Sequence, residues 1–163
     1  GFYLLILLGP YGALGKAWVS LTGESLTFSF SGLVVASIIY SLPFAVQPLQ
    51  YAFESLGRRN LEAAWTLGAS PLDAFFSVVM PQSTRGYLNA AVMSFAHTLG
   101  EFGIVLMVGG NIPGETRVIS IAIYDHVESL NYASAHRLSV ILLVFAFLAL
   151  FSLFVVNRKW SRK

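Results

Sequence analysis

Residues 138–157 read LSVILLVFAFLALFSLFVVN. Fifteen of them are Leu, Ile, Val or Phe, and none is charged. At about −0.3 to −0.6 kcal/mol for each such residue, insertion into a bilayer is favoured by roughly 5 to 9 kcal/mol. Twenty residues at a helical rise of about 1.5 Å match the ~30 Å hydrocarbon core. The stretch therefore predicts a membrane-spanning helix and an all-α integral membrane fold. The whole chain agrees with it. Of its 163 residues 56% are hydrophobic and 11% charged, whereas a soluble domain carries about 25% charged residues. The chain has no cysteine, which excludes a disulfide framework, a thiolate metal site and a cysteine nucleophile.

Working outward, two further spans are expected. Residues 86–110, GYLNAAVMSFAHTLGEFGIVLMVGG, form one. Residues 28–53, FSFSGLVVASIIYSLPFAVQPLQYAF, form the other. In the latter, Pro43 and Pro48 each remove a backbone donor and should kink or end the helix, which makes them hinge candidates. The opening GFYLLILL is too short to cross, and no basic flank precedes it as in a cleavable signal. Residues 1–9 read as the tail of a truncated spanning helix, with a short re-entrant segment as the alternative. A single membrane domain, residues 1–163, accommodates all of these.

Lys and Arg set the expected orientation. Arg58, Arg59, Arg85, Arg158, Lys159, Arg162 and Lys163 fall on one side, and Lys16, Arg117 and Arg137 on the other. The positive-inside rule puts the first side, with the C-terminus, in the cytoplasm. The segments at 10–27 and 110–137 then face outward, the second carrying a short helix over 118–130. Lys16 and Arg117 there could attract an anion by charge, with a solvated loop as the plain alternative for either one alone.

The cytoplasmic segment 54–85 is longer than a connector needs. Leu61–Leu67 is rich in helix formers, and Gly68 can take the left-handed conformation that ends a helix. Ser70, Pro71 and Asp73 supply an N-cap, a proline at the first helical position and an acid three residues after the cap. A second helix should run from Pro71 to about Val79, with Pro81 stopping it. An interfacial loop that only joins two spans is the plain alternative. A built element outside the bilayer instead suggests a docking surface for a soluble partner.

The spacing of this segment carries a family resemblance. Glu62-Ala63-Ala64, three residues, Gly68, nine residues, then Val78-Val79-Met80-Pro81 resembles the EAA signature of importer permeases in the ATP-binding-cassette family. Val78 and Met80 stand where the signature has Ile and Leu. SLPFAVQPLQYAFES (41–55) and LGEFG (99–103) resemble the molybdate and sulfate permeases, and NIPGETR (111–117) the molybdate branch. The resemblance implies a type I importer transmembrane domain. In it Glu62, Ala63, Ala64, Gly68 and Pro81 belong to a coupling helix seated on a cytoplasmic ATP-binding subunit. It implies a homodimer of permeases in the bacterial inner membrane and a periplasmic oxyanion-binding protein. It also implies a truncated N-terminus, because the family has further spans before this point. No cofactor, metal or nucleic acid is implied for the chain itself. The substrate expected is molybdate, with sulfate, thiosulfate or tungstate as alternatives.

Four residues near the middle of the 86–110 span are candidates for the pathway or a helix interface. Glu101 is costly there and should face protein or water. His97 stands four residues earlier, on the same face of a continuous helix. The pair could be a proton relay or metal-ligand pair, a tie between helices at a subunit interface or gate, or a simply buried, neutralised carboxyl. Gly100 and Gly103, with Ala96, have the spacing that lets helix backbones approach. An intramembrane enzyme using His97 and Glu101 and a non-transporting helical scaffold are the rival functions. GALGKA (12–17) has part of the spacing of a phosphate loop but lacks its first glycine and its Ser or Thr, so ATP hydrolysis would fall to a separate subunit.

Overall fold

The computed structural model describes residues 1–160; Arg162 and Lys163, counted above toward the cytoplasmic side, lie outside the described residues. Among the described residues every regular element is helical. In chain order these are α1 (Phe2–Leu8), α2 (Ala13–Thr22), α3 (Phe30–Ser55), α4 (Arg58–Thr66), α5 (Pro71–Ala74), a π-turn (Phe75–Val79), α6 (Met80–Gln82), α7 (Thr84–Leu99), α8 (Gly103–Gly109), α9 (Ile119–Glu128) and α10 (Tyr132–Trp160).

Three stretches are long and apolar enough to cross a membrane: α1 with α2 as Phe2–Thr22, α3, and Tyr132–Val155 of α10. A fourth results if the bent pair α7 and α8 counts as one span. The chain is a multi-pass membrane protein. The stretch Tyr132–Val155 has a mean hydropathy of 3.0, and none of its most apolar window is buried within the chain. Its start is fixed by Asn131, whose Oδ1 accepts the Ser134 N–H at 3.2 Å, an N-cap.

Two expectations about helix limits need correction. The helical path does not stop at residue 9. After Gly9–Gly12 it resumes as α2, because Gly12 and Gly15 let the second helix close onto α1: a Cβ at Gly15 would lie 1.9 Å from the Gly9 carbonyl oxygen. The segment 86–110 is not one straight helix. It is α7 and α8, bent by 68° at the break between them.

The chain divides into two units, Gly1–Ser41 with His97–Leu148, and Leu42–Ala96 with Ala149–Lys163. In the first unit Leu8, Leu26, Ala36, Ile104 and Val108 form one buried cluster, and Leu33, Val105 and Ile121 another. Its loop at 110–118 is closed by Thr116, buried, whose hydroxyl donates to the Gly109 carbonyl at 2.6 Å and accepts the Ile112 N–H at 2.9 Å. In the second unit the end of α3 packs on the start of α7. Gly86 makes that possible, since a Cβ there would lie 2.3 Å from the Ala52 Cβ. Phe53 lies edge-on to both Phe75 and Tyr87, with ring centroids 6.2 Å apart in each case. Neither Pro43 nor Pro48 ends α3, which runs through both.

Candidate functional site

The second unit carries the segment 54–85. Good helix formers carry α4 to Thr66, and Gly68 turns the chain out of it at φ +85°. The Ala69 N–H returns to the Ala64 carbonyl at 3.0 Å, and the Gly68 N–H to that of Trp65 at 2.9 Å. These bonds satisfy carbonyls that a helix end leaves orphaned. Ser70 then caps α5, its Oγ accepting the Asp73 N–H at 3.2 Å, with Pro71 at the first helical position. Asn60 donates to Gln82 Oε1 at 2.9 Å, which ties α4 to α6. Ala64, Ala74 and Val79 turn inward and are buried.

Among the charged and polar residues that this element exposes stand several large apolar ones. Trp65, Leu67, Leu72, Phe76 and Met80 are all exposed, Leu67 at 89% and Leu72 at 73%. Glu62, Ala63 and Gly68 are exposed beside them. A groove of about 480 Å³, lined by Asn60, Ala63, Leu67, Gly68 and Asp73 among others, runs between the two arms. Leucines so exposed on a turn fixed by caps, rather than on a floppy loop, suit a rigid protein surface.

Pro81 does not stop the second helix. The path continues to Gln82 by widening: the Met80 N–H reaches back five residues to the Phe75 carbonyl. A proline ring crowds the carbonyl four residues before it, here that of Ser77, and a wide turn moves it aside. The sequence holds Pro81 in view but gives no signal for the π-turn.

The first unit carries the other candidates. α7 ends at Leu99, so His97 and Glu101 do not share the face of a continuous helix. Gly100 and Gly103 are poor helix formers, and the Glu101 side chain competes for the backbone. Its Oε1 accepts the Ile104 N–H at 3.0 Å, in the first turn of α8, where a carboxylate is favoured by the helix dipole. The Ser120 Oγ donates to the Glu101 carbonyl at 2.8 Å, so a backbone group freed by the bend is satisfied. His97 belongs to a separate group: its Nδ1 is 3.3 Å from Ser41 Oγ, which is 3.0 Å from Thr98 Oγ1, and its ring lies 4.8 Å from that of Tyr40. No cluster of three metal-ligating side chains occurs among the described residues. Among the described residues no close packing is seen at Gly100 or Gly103: a Cβ at Gly103 would meet nothing within 4 Å and one at Gly100 only the His97 carbonyl at 3.8 Å. The bend takes both off any common helix stripe. Within 86–110 the close approaches fall instead at Gly86, at Gly109, where a Cβ would lie 2.7 Å from Leu33 Cδ2, and at Gly110, where it would lie 2.5 Å from Phe28 Cδ1.

Arg117 is not a free cation. It pairs with Asp125, and its Nε donates to Asn111 Oδ1 at 3.0 Å. Asn111 Nδ2 in turn donates to Asp125 at 3.1 Å. The Asn111 hydrogen bond first, and Arg117 after it, hold the Asp125 carboxyl below its ordinary range.

Comparison with known proteins places this arrangement. Residues 2–162 match the family described as binding-protein-dependent transport system inner membrane component. The chain belongs to that family. Among its relatives the chain is 54% identical over 158 residues to the molybdenum transport system permease protein ModB of Azotobacter vinelandii, covering 97% of this chain and 70% of that protein. It is 32% identical over 163 residues to the sulfate transport system permease protein CysT of Escherichia coli K12, covering 100% and 58%. It is 36% identical over 129 residues to ModB of Haemophilus influenzae, covering 79% and 56%. The chain thus spans less than two thirds of the length of the latter two relatives and 70% of the first. Membership makes it a transport permease of the binding-protein-dependent type, an inner membrane component.

Proposed function

We propose that this chain forms the membrane pathway and the coupling element of an ATP-driven importer whose substrate is molybdate. The observation that carries the reading is the capped turn of α4 and α5, which holds Leu67 and Leu72 out as exposed apolar side chains. A separate cytoplasmic ATP-binding subunit would seat Glu62, Ala63, Ala64 and Gly68 in a groove, with Pro81 and the π-turn behind them. Closure of that subunit on ATP would push this lever, and the helices would switch between inward-facing and outward-facing states. A second copy of the permease completes the pathway, and a periplasmic binding protein delivers the oxyanion to the outer segments. The segment 54–85 and the C-terminus face the cytoplasm. Spans near 1–9, 28–53, 86–110 and 138–157, with the limits corrected above, make the crossings.

Within the bundle, His97, Gly100, Glu101 and Gly103 mark the bend that we assign to the pathway or to the contact with the second copy. Pro43 and Pro48 are the flex points of α3; the division of α3 between the two units falls after Ser41, two residues before Pro43. The 54% identity to a molybdenum permease favours molybdate over sulfate.

Two measurements test this. The full-length permease should co-purify with an ATP-binding subunit, and Leu67→Ser with Leu72→Ser should abolish that while leaving membrane insertion intact. Cells carrying the complete transporter should take up radiolabelled molybdate, with excess sulfate competing poorly. Uptake suppressed by sulfate rather than by unlabelled molybdate or tungstate would move the substrate to the sulfate class, and retention of the subunit by the serine variant would sink the coupling role.

A further inference from the structure

Wholly within the second unit, the end of α3 and the start of α7 line an open cleft of about 1000 Å³. At about 30 Å³ per water this is room for roughly thirty waters. Its lining is more apolar than polar, with Phe44, Leu56, Val92 and Met93 in it, and its polar groups include Gln47, Tyr51, Ser83, Arg85 and Asn89. The formal charge of the polar members is one-sided, while their amides and hydroxyls can both donate and accept. Arg85 is a cation, and Gln47, Tyr51, Ser83 and Asn89 all carry N–H or O–H donors. No Asp or Glu lines the cleft.

Two independent features point the same way. The first turn of the sixteen-residue α7 lies in the wall, and a helix N-terminus favours negative charge. Ser83 stands just before that turn, 2% exposed, and its hydroxyl is buried without a hydrogen-bond partner. A buried donor left unmade is costly, and an acceptor reaching it from the cleft would recover that.

We infer that this cleft is a binding site for a hydrated tetrahedral oxyanion, held by Arg85, Ser83, Asn89, Gln47 and the start of α7. The inference rests on the importer reading for the identity of the anion. The volume far exceeds one oxyanion, so the anion keeps much of its water and is held weakly. Weak holding suits a passage, where an ion must leave as readily as it enters.

The chain has no cysteine, so the full-length permease, with any cysteine outside this chain replaced, can carry Met93→Cys as a single reporter in the wall. Its reaction with an anionic and with a cationic methanethiosulfonate is timed in lipid nanodiscs, each rate divided by that of a free thiol in solution. The anionic reagent should be favoured roughly tenfold by the local field, and sulfate, but not chloride at equal ionic strength, should slow it. Arg85→Gln should remove both effects and Arg85→Lys should restore them, which separates loss of charge from loss of fold. Equal normalised rates that ignore sulfate overturn the site. So does protection that follows phospholipid acyl-chain length instead of sulfate, since the cleft would then hold lipid. Sulfate protection in a permease that binds no ATPase subunit would leave the anion site standing and remove the importer reading; molybdate uptake with no sulfate protection would do the reverse.

Discussion

Single atoms decide the tightest contact in the second unit. Gly86 sits where a methyl group would lie 2.3 Å from the Ala52 Cβ, so Gly86→Ala must push α3 and α7 apart. Overpacking of this kind costs about 1 to 3 kcal/mol. The expected result is a lowered thermal midpoint for the purified full-length protein, largely recovered when Ala52→Gly is added. A double variant no better than the single one would place the clash elsewhere. In the first unit the Arg117–Asp125–Asn111 triad has a pH signature. Asp125 is held below its ordinary value of 3.8, and a depressed acid adds stability above its unfolded pKa that is lost as pH falls through the folded one. Asn111→Ala should therefore lower thermal stability at neutral pH, and its gap from the parent protein should close below about pH 4. A gap that does not vary with pH would mean that Asn111 acts through loop geometry instead.

Among the elements, the turn joining α4 to α5 is the most exacting. Gly68 at φ +85° holds a conformation that costs other L-residues about 1 to 2 kcal/mol, while Asn tolerates it better. Gly68→Ala should speed amide exchange across residues 58–74 and weaken capture of an ATP-binding subunit, whereas Gly68→Asn should keep most of both. If the two variants behave alike, the backbone angle is not what matters. This turn was legible from sequence because its signals are local: Gly68, Ser70, Pro71 and Asp73 each have one physical use at one position. The exposed helix α10 was legible for the same reason, since its composition leaves no other outcome. The bend after Leu99 was not. A run of apolar residues from Gly86 to Gly110 carries the same hydropathy straight or broken, and what breaks it is a competition between the Glu101 side chain and the helix ladder, closed by Ser120 from nineteen residues away. Pro81 misled in the opposite sense. A proline ends a helix only if the backbone cannot widen, and the π-turn shows that it can. Arg117 looked free because its partner Asp125 lies eight residues on, across a turn.

At the scale of the molecule, the claim most open to test is which way the chain faces the two compartments. With no native cysteine in this chain, Ser70→Cys and Glu115→Cys give single reporters, both at exposed positions. A membrane-impermeant maleimide added to intact spheroplasts should label Glu115→Cys and leave Ser70→Cys untouched until the cells are opened. Labelling in the reverse order would put the α4–α5 turn outside and leave an ATP-driven partner nothing to push. The two long helices raise a separate matter. α10, with 29 residues, is about 43 Å long, and α3, with 26, about 39 Å, while the oily layer they cross is about 30 Å thick. Such rods must lean, protrude or stretch the leaflets around them. α10 meets that layer with a matching apolar stretch and lets its charged ends protrude, so any load from longer or shorter lipid tails would fall on α3, uncharged from Phe30 to Phe53.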